Sequence, residues 1–296
     1  MDKVSLTAES IPFMGKRICS IAIYSVRYKL ISPRVICLFV LLATFVWSNI
    51  SPVIEAVKIV DLRVNPLLFP FLSSNTVYQL IIFLGVLFLF SDAPFIDKNQ
   101  PYIIIRSKRT IWALGQILHV IMLSASYFLI LMGISILVVL PYATLATDGW
   151  GKLVNTLAQT NLDVQVGMTF DFSKQIVSLY APLEAFLYCF LLNWGMASFL
   201  GLLIFAINMK FSKMIGILIG LSVLLFDLLS LNNLSSTSVY FSPLSLSRLS
   251  MLDPKGITIY PSVTYALVFY CVSIVLLSIC IVAEVKTKDI EISSEA

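Results

Sequence analysis

Six apolar runs divide the chain. They cover Val35 to Pro52, Val77 to Phe90, Trp112 to Leu140, Leu183 to Ile207, Met214 to Leu231 and Val263 to Val285. A helix needs ~17–25 apolar residues to cross ~30 Å of hydrocarbon, so each run predicts one transmembrane helix. The second run is short unless it extends on its outer side. The third is long enough to tilt or to project from the membrane. The predicted fold class is therefore an all-α polytopic membrane protein with six transmembrane helices.

Composition strengthens this picture. Hydrophobic residues make up 59% and charged residues 12% of the 296-residue chain. Soluble domains average ~45–50% apolar and ~25% charged residues, so one soluble core would not hide this excess. About 34 residues precede the first run and no small-residue cleavage site follows it, which argues against a removable signal peptide.

Charge placement orients the helices. Fourteen of the twenty Lys and Arg residues fall on one side of the predicted membrane: in segment 1–34, the 91–111 loop, the 208–213 turn and the tail from 286 to 296. The other side holds Lys58, Arg63, Lys152, Lys174, Arg248 and Lys255, spread over the longer loops 53–76, 142–182 and 232–262. The positive-inside rule puts the richer side in the cytoplasm, with both termini there. No Lys/Arg block resembles a nucleic-acid-binding arm. Segment 16–30, KRICSIAIYSVRYKL, interleaves apolar and basic residues and predicts an interfacial amphipathic helix before the turn at Pro33; the alternative is a disordered basic arm. In the third outer loop, YFSPLSLSRLSML has the pattern of a short amphipathic helix dipping into the outer leaflet.

Candidate chemistry is sparse. Gly15-Lys16 and Gly151-Lys152 are followed by Arg and Leu, so neither forms a P-loop, and no GxGxxG occurs. His119 is the sole histidine, which excludes HExxH and multi-His metal sites. No GxSxG is present. The five cysteines show no metal spacing and read as small apolar packing residues. No catalytic, cofactor or metal site is predicted, and the chain reads as a non-enzyme.

Polar residues within the runs form stripes. Gln116, His119, Ser126 and Gly133 share one helix face; Glu184, Tyr188, Gly195 and Ser198 share another; Gly216, Gly220 and Asp227 align on a third. Small and polar residues at such spacing face neighbouring helices rather than lipid. Asp227, in LLFDLLS, is costly in a bilayer unless it meets water, a partner or a proton. Gln116, His119, Glu184, Tyr188 and Asp227 are thus candidates for lining a transport path. The alternative for Asp227 and Glu184 is a boundary pair solvated by outer loops. The 91–111 loop joins acids Asp92 and Asp97, the apolar stretch Tyr102 to Ile105, and the cations Arg106, Lys108 and Arg109. A loop serving topology alone needs only cations, so this pattern points to a short amphipathic element that docks in the cytoplasm.

That stretch, SDAPFIDKNQPYIIIRSKRTIWALGQI, resembles the first cytoplasmic loop of ABC-2-type permeases of low-GC Gram-positive bacteria, and the resemblance to this family extends to LLIFAINMKFSKMIGILIG, YFSPLSLSRLSMLD and YPSVTYALVFY further on. The resemblance implies six helices after an interfacial helix, pairing with a second permease domain (as a homo- or heterodimer), and two separate cytoplasmic ABC ATPase subunits. It also implies a bacterial cell-membrane location. Carried over, a coupling helix would lie within about Asp97 to Arg109, framed by Asp92, Pro94, Phe95 and Trp112. The expected function is the membrane-spanning subunit of an ATP-driven exporter. The rivals are an ion-coupled secondary transporter, with Asp227 and Glu184 in coupling roles, and a non-transporting immunity or sensor subunit.

Overall fold

A computed structural model describes residues 10–95, 109–144, 149–160, 170–233, 239–254, 256 and 259–287. Among these the fold is helical, with one isolated bridge between Val64 and Ala143. Segment Ser10–Leu30 forms α1, and Pro33–Val60 forms α2. The short α3, Phe69–Ser74, leads into α4, Thr76–Phe90. Helix α5 runs Arg109–Val139. The far-end helices are α6, Gly151–Gln159, and α7, Lys174–Leu179. Then come α8, Pro182–Lys210, α9, Lys213–Asn233, the one-turn α10, Pro243–Leu246, and α11, Val263–Thr287.

Four segments are long and apolar enough to cross a membrane: Pro33–Val60, Arg109–Tyr142, Pro182–Lys210 and Val263–Lys286. Their outer faces carry exposed apolar side chains, including Val40, Leu41 and Trp47 on α2, Leu137 on α5, Leu187 on α8 and Ile279 on α11. Apolar surface this extensive suits hydrocarbon as solvent. At 31 residues α5 is about 46 Å long at 1.5 Å per residue, so it overreaches a ~30 Å core, as its sequence predicts. Helix α4 has 15 residues, and α9 has 21.

Helix α2 continues past Pro52, where the apolar run ends. Proline lacks the N–H that would bond the carbonyl one turn back. Here Ser51 Oγ donates to the freed Ser48 carbonyl at 3.1 Å, and the helix persists to Val60. The second run is extended on its outer side by α3, with a break at Asn75. Its carboxamide oxygen accepts from the Val77 and Tyr78 amides and caps α4.

Helix α8 is the hub, packed against α3, α4, α5, α9 and α11. Glycines let its neighbours close in. An added Cβ at Gly195 would lie 2.9 Å from the Tyr270 ring of α11, and one at Gly201 would lie 2.7 Å from Val120 of α5. On α9, Gly216 and Gly220 face Asn208 and Ile204 of α8, so the predicted GxxxG is a helix-packing seam.

The segments expected as outer loops are largely folded. Phe71 meets Trp150 and Phe172 with ring centroids 4.7 and 5.0 Å apart. Trp150 Nε1 donates to the Tyr180 carbonyl, and Tyr180 Oη donates to that of Leu252. Burial, followed by the nearby Asp253 and Glu184 carboxylates, pushes the Tyr180 phenol up, so it remains a neutral donor. Within segment 240–253, expected to dip into the outer leaflet, Leu244, Ser245, Leu246, Ser247, Arg248 and Leu249 are all buried in protein, and Phe241 is exposed.

Candidate functional site

The basic end of the bundle gathers α1, the exit of α4, the entry of α5, and the α8–α9 turn. Helix α1 is held on α5 by Ala22, Ser25 and Val26, all buried, and by Ile21, which fits against Gly115. This is the amphipathic helix that 16–30 predicts. Its opposite face exposes Ile23, Tyr24 and Tyr28.

The first part of the 91–111 loop is fastened at this end. Asp92 Oδ2 lies 3.4 Å from Lys29 Nζ of α1 and 3.3 Å from Arg34 Nη1 of α2. Both pairs are partly exposed, so each contributes about 0–1 kcal/mol. The Ala93–Pro94 peptide is cis, and the Ala93 carbonyl accepts a hydrogen bond from Asn208 Nδ2 of α8. Phe95 is buried. Its ring stands edge-on to His119 of α5 at 4.7 Å, and Lys29 Nζ sits 4.8 Å from its centroid. Trp112 is fully buried and meets Phe205 of α8 edge-to-face. Four helices thus grip the four residues 92–95. Asp97, Arg106 and Lys108 lie outside the described residues, together with most of the expected coupling helix. Arg109 is the first residue of α5 and is exposed.

The expected path-lining residues separate into three places. Gln116 and His119 are buried near this basic end, one and two turns into α5 beyond Trp112. Neither His119 ring nitrogen meets a partner at full hydrogen-bond geometry; the Ala22 backbone is the polar group that bears on it. Glu184 is exposed at the start of α8, where its carboxylate accepts from the Ala181 amide at 3.4 Å and caps the helix. Tyr188, one turn on, packs edge-on to Tyr180.

Asp227 is elsewhere again, and it is not open to water. It is fully buried and pairs with Arg248, also fully buried, at 2.9 Å. Asp227 Oδ1 accepts from Ser242 and Ser245, whose hydroxyls aim inward from the α10 turn. The Arg248 fork also reaches Gln79 Oε1 of α4 through Nε and Nη2, at 3.1 and 2.7 Å. Gln79 Nε2 in turn donates to Ser247 Oγ and the Leu244 carbonyl. Tyr270 of α11 closes the set by donating to the Pro243 carbonyl. Glu184, which is exposed, takes no part in this network, and Asp227, expected as solvated by outer loops in one reading, is instead sealed in protein. Sequence reasoning read Arg248 as a loop cation and missed Gln79. The available signal was Asp227 itself: a buried carboxylate requires a cation or donors nearby.

Among the described residues no group of His, Cys, Asp and Glu is arranged to hold a metal ion. Comparison with models of known protein families, with curated proteins and with solved structures found no match.

Proposed function

We propose that this chain is the membrane-spanning subunit of an ATP-driven exporter of the ABC-2 type, working with separate cytoplasmic ATPase subunits and a second permease domain. On this reading α2, α4 with α3, α5, α8, α9 and α11 are six spans. The basic end and both termini face the cytoplasm of a bacterial cell.

The observation that carries the proposal is the fastening of residues 92–95 to α1, α2, α5 and α8 at once. A loop that serves only to join two spans has no need of such a grip. A loop that receives motion from a partner does, because displacement at 96–108 then reaches four helices through Asp92, Ala93 and Phe95. The closed Asp227–Arg248 pair also favours this reading over ion coupling. A coupling carboxylate must exchange its ion with water, whereas this one is neutralised by a fixed guanidinium.

The test is co-purification from membranes with an ATPase encoded beside the gene, using the parent chain and an Arg106→Glu/Arg109→Glu variant. The proposal expects ATPase in the parent sample and its loss from the variant. Absence of ATPase from both samples sinks it. Uptake that depends on a proton gradient and is abolished by Asp227→Asn would establish the secondary transporter instead.

A further inference from the structure

A cavity of about 200 Å³ opens at the basic end. Its polar wall is Ser25 and Lys29 of α1, Arg34 of α2, Asp92, His119 of α5 and Lys213 at the start of α9. Among the described residues, three cationic side chains face one carboxylate. Asp92 engages Lys29 and Arg34 through a single oxygen, while an ammonium has three donors and a guanidinium five. Two more wall residues are buried: Ser25, whose Oγ has no hydrogen-bond partner, and His119, whose ring has the Ala22 backbone as its polar neighbour. Surplus positive charge and idle donors around one space are complementary to an anion with several acceptor oxygens.

The space does not end there. Between α2 and α4 lies an apolar groove of about 440 Å³, lined by Pro33, Cys37, Leu38, Leu41 and Phe88, and Arg34 belongs to its wall too. A smaller pocket of about 130 Å³ lies between them in its lining: it shares Lys29, Arg34 and Asp92 with the first, and Arg34 and Phe88 with the groove. A cationic chamber that shares Arg34 with an apolar groove suits a phosphate attached to an acyl chain.

We propose that this is a binding site for one anionic phospholipid. Its phosphate sits among Lys29, Arg34, Lys213 and the Ser25 hydroxyl, and one acyl chain lies along the α2–α4 groove. The proposal requires that α2 and α4 face lipid; it does not depend on transport or on any ATPase.

Native mass spectrometry of the full chain in detergent tests it, with phosphatidylglycerol, phosphatidylcholine or inorganic phosphate added. The expected result is one retained phosphatidylglycerol, with phosphatidylcholine retained far less. Losing two charge-assisted contacts in Lys29→Gln/Lys213→Gln should weaken retention by about tenfold or more. Lys152→Gln, at the far end, should leave it unchanged. Lys213→Gln alone, at an exposed helix start, keeps the test readable if the double variant does not fold. Leu41→Gln, at an exposed groove position, should also weaken retention. Equal retention by the parent and the Lys213→Gln and double variants overturns the site. Thermal stabilisation by inorganic phosphate that matches phosphatidylglycerol, and that Leu41→Gln does not change, overturns the lipid assignment in favour of a free phosphate anion.

Discussion

Asp227 and Arg248 show how strongly a single buried charge constrains its surroundings. Each has the other as its neutralising partner, and Gln79, Ser242 and Ser245 add hydrogen bonds, while Arg248 Nη1 is buried without one. Removing one member leaves an uncompensated buried ion, which typically costs about 3–5 kcal/mol. Arg248→Met and Asp227→Asn should therefore each lower stability by roughly 3 kcal/mol, read as the melting temperature of the detergent-solubilised chain. Asp227→Leu/Arg248→Met removes both charges and should recover most of that loss. A double variant as unstable as the sum of the two single ones would mean that the pair does not act as a unit. Asp227 was legible as anomalous from LLFDLLS alone. Arg248 was not, because its serine-rich neighbourhood reads as a polar loop, and its second partner, Gln79, is 169 residues away. Local periodicity carries no signal for such a pairing.

At the scale of elements, glycines set the distances between helices. Gly115 admits Ile21 of α1, and a Cβ there would lie 2.9 Å from Ile21 Cγ2. Arg17 and Arg27 are already exposed on α1, and Gly115→Leu should push α1 off α5 and loosen it, speeding tryptic cleavage at both, while the bundle stays folded. Unchanged cleavage at those two arginines would show that α1 is held by other contacts. Gly216 approaches Asn208, whose amide holds the Ala93 carbonyl. Gly216→Val should cost about 1–3 kcal/mol through overpacking and release the anchor of the first loop together with it. Sequence patterning gave the Gly216/Gly220 seam but not the one at Gly115, and Gly133, read as facing a neighbouring helix, has no neighbour where its Cβ would lie. At Gly216 and Gly220 the 4-residue spacing of small residues records helix contact, and α5, α8 and α11 fall within a few residues of their apolar runs. It gave helix ends less well. Pro52 read as a terminus because the rescue by Ser51 is a side-chain event. The far-end cap was legible only in part. The α10 segment was seen as a short amphipathic helix but assigned to the leaflet, and α6 was missed although Leu153, Val154, Leu157 and Ala158 recur at helical spacing. Helices α3 and α7 are too short to show a period.

For the whole molecule, the testable property is sidedness. The six-span reading puts Lys152 of α6 outside and Lys213 of α9 inside. With the native cysteines replaced, a membrane-impermeant maleimide should label Lys152→Cys in intact cells, and label Lys213→Cys only after permeabilisation. Labelling of both positions from one side would contradict the single crossing, α8, that this reading places between them. The same geometry explains why the first loop is the place to look for a partner. Its opening residues touch α1, α2, α5 and α8, so a small displacement there is shared by half the bundle.

The ion pair also bears on how the chain is made. Asp227 leaves the ribosome 21 residues ahead of Arg248. During that interval α9 would enter the bilayer with its carboxylate unmatched, at a cost of about 2.5–3.5 kcal/mol near a helix centre. Gln79 is already in place by then, but it offers no charge. On the six-span reading, stable insertion of α9 therefore awaits translation of the segment that follows it. A nascent chain halted near residue 240 should have a loosely seated fifth span, and one halted after the α10 turn has emerged should have a fixed one.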